Sequence, residues 1–238
     1  SFFVTYARLD DFDPNSYDDL FSLNLTKLDK WILAKVNDLV RESTSYYNEY
    51  QIYKFLDNVV RFIDDLSNWY VRRNRRRFWK SENDNDKKAA YATLYETLVK
   101  FIKIMAPIIP FITEKMYKNL VANVKVNAPN SVHLTRFPKY EESWVDDSLI
   151  AEIDTIISIV SMGRSARNIA NIKNRQPVEK LIIYSNENIQ ELLENNKNQI
   201  LDELNIKNLK FVKNQAEIVS YDIKPNFQIL GQKFGKNI

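Results

Sequence analysis

With 238 residues, 45% hydrophobic and 27% charged, the chain has the balance of a folded protein of one or two domains, not of a disordered or membrane-embedded one. The absence of cysteine excludes disulfides, thiolate zinc sites and cysteine nucleophiles, the lone His133 excludes any site needing two imidazoles, and Gly163, Gly231 and Gly235 come too late for a phosphate-cradling loop. A net charge of +3 is too mild to imply nucleic acid by itself, so what remains is a binding chain whose charge is unevenly placed.

Residues 1–25 read as an acidic, turn-rich linker, with Asp13-Pro14-Asn15-Ser16 as a helix-starting turn. The chain opens on Ser rather than Met, carries no signal peptide, and reads as a piece of a longer protein. Leu28, Ile32, Leu33, Val36, Leu39 and Val40, spaced by three and four, predict a first long helix capped by Thr26 or Asn24. Tyr46, Tyr47, Tyr50 and Tyr53 crowd its far end. A second helix is expected over 51–79, with Leu56, Val59, Ile63, Leu66 and Tyr70 on one face and Phe55, Phe62 and Trp69 beside it. A third carries Ala90, Leu94, Leu98, Phe101, Ile102 and Met105 until Pro107 and Pro110 interrupt it, and a fourth restarts over Phe111–Val121. Four helices with short connections predict an antiparallel bundle.

Residues 124–145 lose the helical period and read as an extended strap holding Val132, Leu134 and Phe137. His133 is expected there as a hydrogen-bonded packing residue. Leu149, Ile150, Ile153, Ile156, Ile157 and Val160 predict a fifth helix running on to Pro177. Beyond it lies a small α+β unit: a strand at Leu181–Tyr184, a helix over 189–204, a strand at Leu209–Val212 and a third strand at Ile218–Ile223. At about sixty residues this unit is near the lower size for independent stability, and it is expected to be incomplete or to lean on the fifth helix. The predicted architecture is mainly α, with domains at 26–177 and 178–238. No stretch approaches the ~20 apolar residues of a membrane span.

Two basic regions stand out. Arg72, Arg73, Arg75, Arg76, Arg77 and Lys80 occur together without an acid among them. At ~100° per residue from Tyr70, Arg77 and Arg73 fall on the apolar face and need carboxylates, aromatic planes or a phosphate. Trp69, Phe78 and Trp79 offer stacking, and Asp64, Asp65 and Glu82 offer pairing. The run reads either as a nucleic-acid or interdomain contact or as a solvated helix end with one or two internal ion pairs. In the second region Arg164, Arg167, Asn168, Asn171 and Arg175 share one stripe if helical, with Lys173 close by. Arginine and amide side chains in line can hold phosphates and sugar hydroxyls, or form a polar face covered by the next domain. The tyrosines can stack on splayed bases or be core.

Several segments resemble the isoleucyl-tRNA synthetase family of class I aminoacyl-tRNA synthetases. Ser1-Phe2-Phe3-Val4-Thr5-Tyr6-Ala7 is similar to the segment leaving its catalytic domain, and the stretch from Asp65 to Trp79 to its anticodon-domain signature with the arginine run. Ala106-Pro107-Ile108-Ile109-Pro110-Phe111 is shared with valyl and leucyl relatives. Ile172-Lys173-Asn174-Arg175-Gln176-Pro177, Lys224-Pro225-Asn226-Phe227 and Leu230-Gly231 again look isoleucyl. The resemblance implies the tRNA-binding portion of an ATP-dependent, cytoplasmic, monomeric ligase. Isoleucine tRNA and the catalytic domain of the same polypeptide would be its partners. The family's two ATP-site signatures are absent, so ATP and magnesium would act in the missing catalytic domain and this chain would hold no catalytic residue, cofactor or metal. Counted out from that domain, the first helix carries the chain roughly 35 Å away at ~1.5 Å per residue, the second returns antiparallel and the third goes out again, so Tyr46, Tyr47, Tyr50 and Gln51, together with Ala106 to Thr113, fall at the distal, anticodon end. The same count leaves Arg72, Arg73, Arg75, Arg76 and Arg77 at the proximal end, and these, with Arg164, Arg167, Asn171, Lys173 and Arg175 of the second region, are expected at the tRNA backbone or in interdomain contact. A protein-docking scaffold, or the equivalent domain of a valyl or leucyl enzyme, is the competing reading.

Overall fold

The computed structural model describes residues 2–80, 84–125 and 127–218. The chain divides into two compact units, 1–153 and 154–238. The first unit is helical, as its spacing predicts. Helix α1 (Phe2–Leu9) and a 3-10 turn at Leu20–Ser22 precede α2 (Lys27–Asn48). Thr26 caps α2 in a capping box with Asp29, each satisfying an amide of the other. A tight turn follows, with Tyr50 in the left-handed region at φ 56°. The chain returns as α3 (Ile52–Asp64), a π-helical stretch (Asp65–Val71) and α4 (Arg72–Trp79). Helix α5 (Asn85–Met105) goes out again, and α6 (Pro110–Tyr117) starts with Pro110 in its first turn, where the missing amide costs nothing. A second π stretch spans Lys118–Ala122.

The π turn between α3 and α4 has a cause in the sequence. The buried positions Val59, Phe62, Leu66, Tyr70, Asn74 and Phe78 cover five turns in 19 residues, whereas an α-helix makes five turns in 18. One extra residue must be absorbed, and the wider π turn absorbs it while burying Leu66, Trp69 and Tyr70 together. The face therefore differs from the predicted one: Phe55 and Phe62 are in the core, while Leu56 and Ile63 are exposed.

Further expectations are corrected. Residues 2–25 are not merely a linker, because Phe3 and Ala7 of α1 and Leu20 are buried. Phe3 lies 6.1 Å from the rings of both Tyr91 and Tyr95, and Phe12 stacks on Tyr91 at 5.3 Å. Aromatic side chains in an otherwise acidic segment thus tie it to α5. Among the described residues of 124–145 only Val132 is buried, on a 3-10 turn at Val132–Leu134, and His133 and Leu134 are exposed on that turn. His133 is therefore not a packing residue. A second 3-10 turn at Glu142–Trp144 leads into α7 (Asp147–Ile169), the helix that contains the division between the units.

Helix α7 stops well short of Pro177. Asn171, in the left-handed region at φ 55°, donates its amide to Asn168 O, and Ile172 donates to Arg167 O at 2.9 Å. That bond pair is a Schellman termination with Asn in place of the usual Gly.

In the second unit, β1 (Val178–Tyr184) and β2 (Ile206–Val212) pair in parallel, with Val178 opposite Ile206 and Tyr184 opposite Val212. A parallel pair needs a crossover, and α8 (Glu187–Asn195) and α9 (Lys197–Leu204) supply it. The single helix expected here is broken at Asn196, whose side chain donates back to Leu192 O at 2.9 Å. The unit leans on the end of α7: a Cβ added at Gly163 would stand 2.5 Å from Leu204 Cδ1, so only glycine lets that leucine approach. The third strand expected at Ile218–Ile223 lies, beyond Ile218, outside the described residues, as do the motifs at Lys224–Phe227 and Leu230-Gly231. No helix among the described residues is long and apolar enough to cross a membrane.

Candidate nucleic-acid interface

The arginine run is anchored by one inward member. Asp29, fully buried in the first turn of α2, accepts from Arg77 Nη1 at 2.8 Å and from Tyr70 Oη at 2.6 Å. Its other oxygen accepts from the Thr26 amide at 2.8 Å. Arg77 also donates Nε to Asp86 Oδ1 at 2.8 Å and Nη2 to Asp86 O at 3.0 Å. Burial lowers the Arg77 pKa, but the bond to Asp29 and the charges of Asp29, Tyr70 and Asp86 outweigh it and raise it above the ordinary value. Burial, then the Asp29 charge, holds the Tyr70 phenol far above its ordinary range, so it stays a donor. The carboxylates that meet Arg77, Asp29 and Asp86, are not among those expected. Asp65 pairs with Lys35 at 3.1 Å, Asp64 accepts from Asn68, and Glu82 lies outside the described residues.

The rest of the run is arranged around its neighbours. Arg73 lies over the Trp69 ring at 5.0 Å and Arg75 over Trp79 at 5.8 Å. Arg72 Nε donates to Asn68 O at 2.8 Å. Phe78 is buried between Phe2 and Tyr91 rather than stacked on an arginine. Lys80 bonds Asp84 and Asp86 at 2.7 and 2.8 Å. Arg75 and Arg76 keep exposed side chains.

The tyrosine end is the opposite end of α2, because Arg77 meets the first turn of that helix and Tyr50 follows its last. Twenty-two residues at ~1.5 Å each separate the two ends by about 33 Å. Tyr47 donates its hydroxyl to Ile104 O at 2.7 Å, which brings the end of α5 to the same place; burial pushes its pKa up to about 12. Tyr46 and Tyr47 flank Phe55 with ring centroids at 6.2 and 5.7 Å, so both are half core. Gln51 accepts from Lys54 Nζ at 2.8 Å. Tyr50 alone of the four predicted residues points fully outward, at 90% exposure. Phe111, also 90% exposed, lies in the segment 106–113 that the count of antiparallel helices carries to the tyrosine end, but sequence reasoning gave its ring no binding role.

The second basic region is not one stripe. Because α7 ends at Ile169, Asn171 and Arg175 lie in the following loop, and only Arg164, Arg167 and Asn168 are on the helix. Arg164 pairs with Glu203 at 2.5 Å. Arg167 is 5% exposed and bonds main-chain carbonyls, so its guanidinium is not presented to a ligand. Asn171, Lys173 and Arg175 are exposed.

Residues 29–183 match the family model described as the anticodon-binding domain of tRNA ligase. The chain is 45% identical over its full length to an isoleucine–tRNA ligase of Clostridium acetobutylicum, 44% to one of Clostridium novyi and 37% to isoleucine–tRNA ligase 2 of Bacillus cereus. In each case it spans 22% of the relative's length. With two thirds of its residues under that model and a helical hairpin carrying the basic signature at one end and exposed aromatics at the other, the chain belongs to the anticodon-binding domain family of tRNA ligases.

Proposed function

We propose that this chain is the tRNA-holding portion of an isoleucine–tRNA ligase. It positions isoleucine tRNA for ATP-dependent aminoacylation by a catalytic domain elsewhere in the same cytoplasmic, monomeric polypeptide, where ATP and magnesium act. Tyr46, Tyr47, Tyr50 and Gln51 form the anticodon end, with Tyr50 as the stacking surface and the other three as its support. Arg72, Arg73, Arg75 and Arg76 face the catalytic domain and the tRNA backbone nearer the acceptor side, with Arg77 holding their helix in place. Arg164, Asn171, Lys173 and Arg175 belong to the backbone contacts of the second unit.

The observation that carries this reading is the ~33 Å separation between the Asp29–Arg77 pair and Tyr50. A tRNA presents its anticodon far from the end that reacts, so a rod with aromatics at one tip and arginines at the other suits both tasks. Identity of 37–45% along the whole chain to isoleucine–tRNA ligases supports the choice of isoleucine tRNA. The test is the affinity of this chain for isoleucine tRNA against the same tRNA with an exchanged anticodon. Tighter binding of the first is expected, and equal binding would overturn the reading.

A further inference from the structure

Arg167 is a buried cation that satisfies itself on the main chain. Its guanidinium donates to Lys173 O at 3.1 Å, Gln176 O at 2.9 Å, Leu204 O at 2.7 Å and Asn205 O at 3.0 Å. Asn205, left-handed at φ 48°, continues the pattern by donating its side-chain amide to Asn174 O at 3.2 Å and Arg175 O at 3.0 Å. Four consecutive carbonyls, 173 to 176, are thus drawn toward the body of the unit. Gln176 N also bonds Lys173 O at 2.9 Å, closing a turn with Asn174 and Arg175 at its tip.

Two consequences follow from that geometry. The negative ends of these peptide dipoles turn inward, while Lys173, Asn174, Arg175 and Gln176 are exposed. A phosphate oxygen approaching the tip therefore meets cations and amides rather than carbonyl oxygens. The ordering cost of the loop has also been met before any ligand arrives. Residues 171–177 carry no aromatic side chain on which a splayed base would stack, and Glu179 is the single acid from 164 to 180. This suits the sugar-phosphate backbone of a paired stem better than single-stranded bases.

The geometry points to residues 171–177 as a preformed site for the phosphodiester backbone of an RNA stem, with Lys173 and Arg175 as the phosphate contacts and Arg167 as the buried positioning residue. This rests on the tRNA-holding reading and adds to it a contact that carries affinity without reading sequence. It also reverses the role that helical spacing suggests for Arg167, which shapes the site and does not touch the ligand.

The test is binding of a hairpin with the isoleucine anticodon stem and loop to the whole 238-residue chain, measured over a salt series. Lys173→Gln with Arg175→Gln should flatten the salt slope by about two units and weaken binding about tenfold at about 0.15 M salt, with anticodon preference kept. Arg167→Lys keeps the charge but cannot span four carbonyls. It should weaken binding to a similar degree while amide exchange speeds up across 171–177. An unchanged slope in the double variant, no binding of the hairpin by the parent chain, or equal competition by polyglutamate would each overturn the proposal. So would Arg167→Lys with faster loop exchange and undiminished binding. A parent chain with no anticodon preference, but with the slope difference intact, would strike the anticodon reading and spare this one.

Discussion

Arg77 and Asp29, 48 residues apart in sequence, meet at 2.8 Å with the carboxylate wholly out of solvent. Their bond ties the end of the arginine helix to the first turn of α2 and so sets which end of the hairpin carries the basic surface. Removing one partner strands the other. Asp29→Ala would leave Arg77, Tyr70 and the Thr26 cap without their shared acceptor, at a cost of about 3–5 kcal/mol. Thermal unfolding of the variant should show this loss, and a melting temperature indistinguishable from the parent's would contradict the role given to the pair.

Glu42 sets a pH dependence of the opposite sense to ordinary acid denaturation. Burial first, with the neighbouring Asp38 charge, raises its pKa above 4.5 against the bond from Asn58 and the charges of Arg41 and Lys35. A carboxyl whose folded pKa is raised contributes stability below its unfolded pKa, and that contribution is lost as pH rises through the folded value. Glu42→Gln should therefore melt higher than the parent at about pH 7 and converge with it near pH 4, with the Gln oxygen still able to accept from Asn58. Parallel melting curves across that range would refute the assignment.

Tyr50 and Phe111 stand at the tyrosine end with 90% of their surfaces exposed. Tyr50→Ala and Phe111→Ala should leave the melting temperature unchanged and each weaken binding of the anticodon hairpin by about 1–3 kcal/mol if a base stacks on the ring. Tyr47→Phe should do the reverse, lowering stability by about 1 kcal/mol through the lost bond to Ile104 O. Calorimetry and hairpin titration on the same variants separate the two behaviours.

Arg75 and Arg76 are the exposed members of the run. Arg75→Ala with Arg76→Ala should change stability by no more than about 0.5 kcal/mol and weaken tRNA binding equally for every anticodon, with a shallower salt slope. An anticodon-dependent loss would place these arginines at the wrong end of the hairpin.

Much of this chain is legible in its residues. The apolar spacing from Ile32 to Val40 marks α2, the prolines at 107 and 110 mark the break before α6, and the capping box at Thr26 and Asp29 marks a helix start. Each is a signal that acts over one or two turns, so a window of sequence contains it. The Asn171 termination was equally local, but an Asn in the left-handed region resembles any polar helix residue until its amide bonds are known.

By itself, then, the sequence determined the helical bundle, the antiparallel order that separates the tyrosines from the arginines, and the small α+β appendage. Only the tertiary structure decided what the arginines do. Arg77, which spacing already turns inward, is held there by Asp29 from another helix, and Arg167 is held inward by the nearby carbonyls of 173 and 176 and the more distant ones of 204 and 205. A guanidinium with its fork of N–H donors takes whatever acceptors the fold brings within reach, and no pattern of spacing records which acceptors those are.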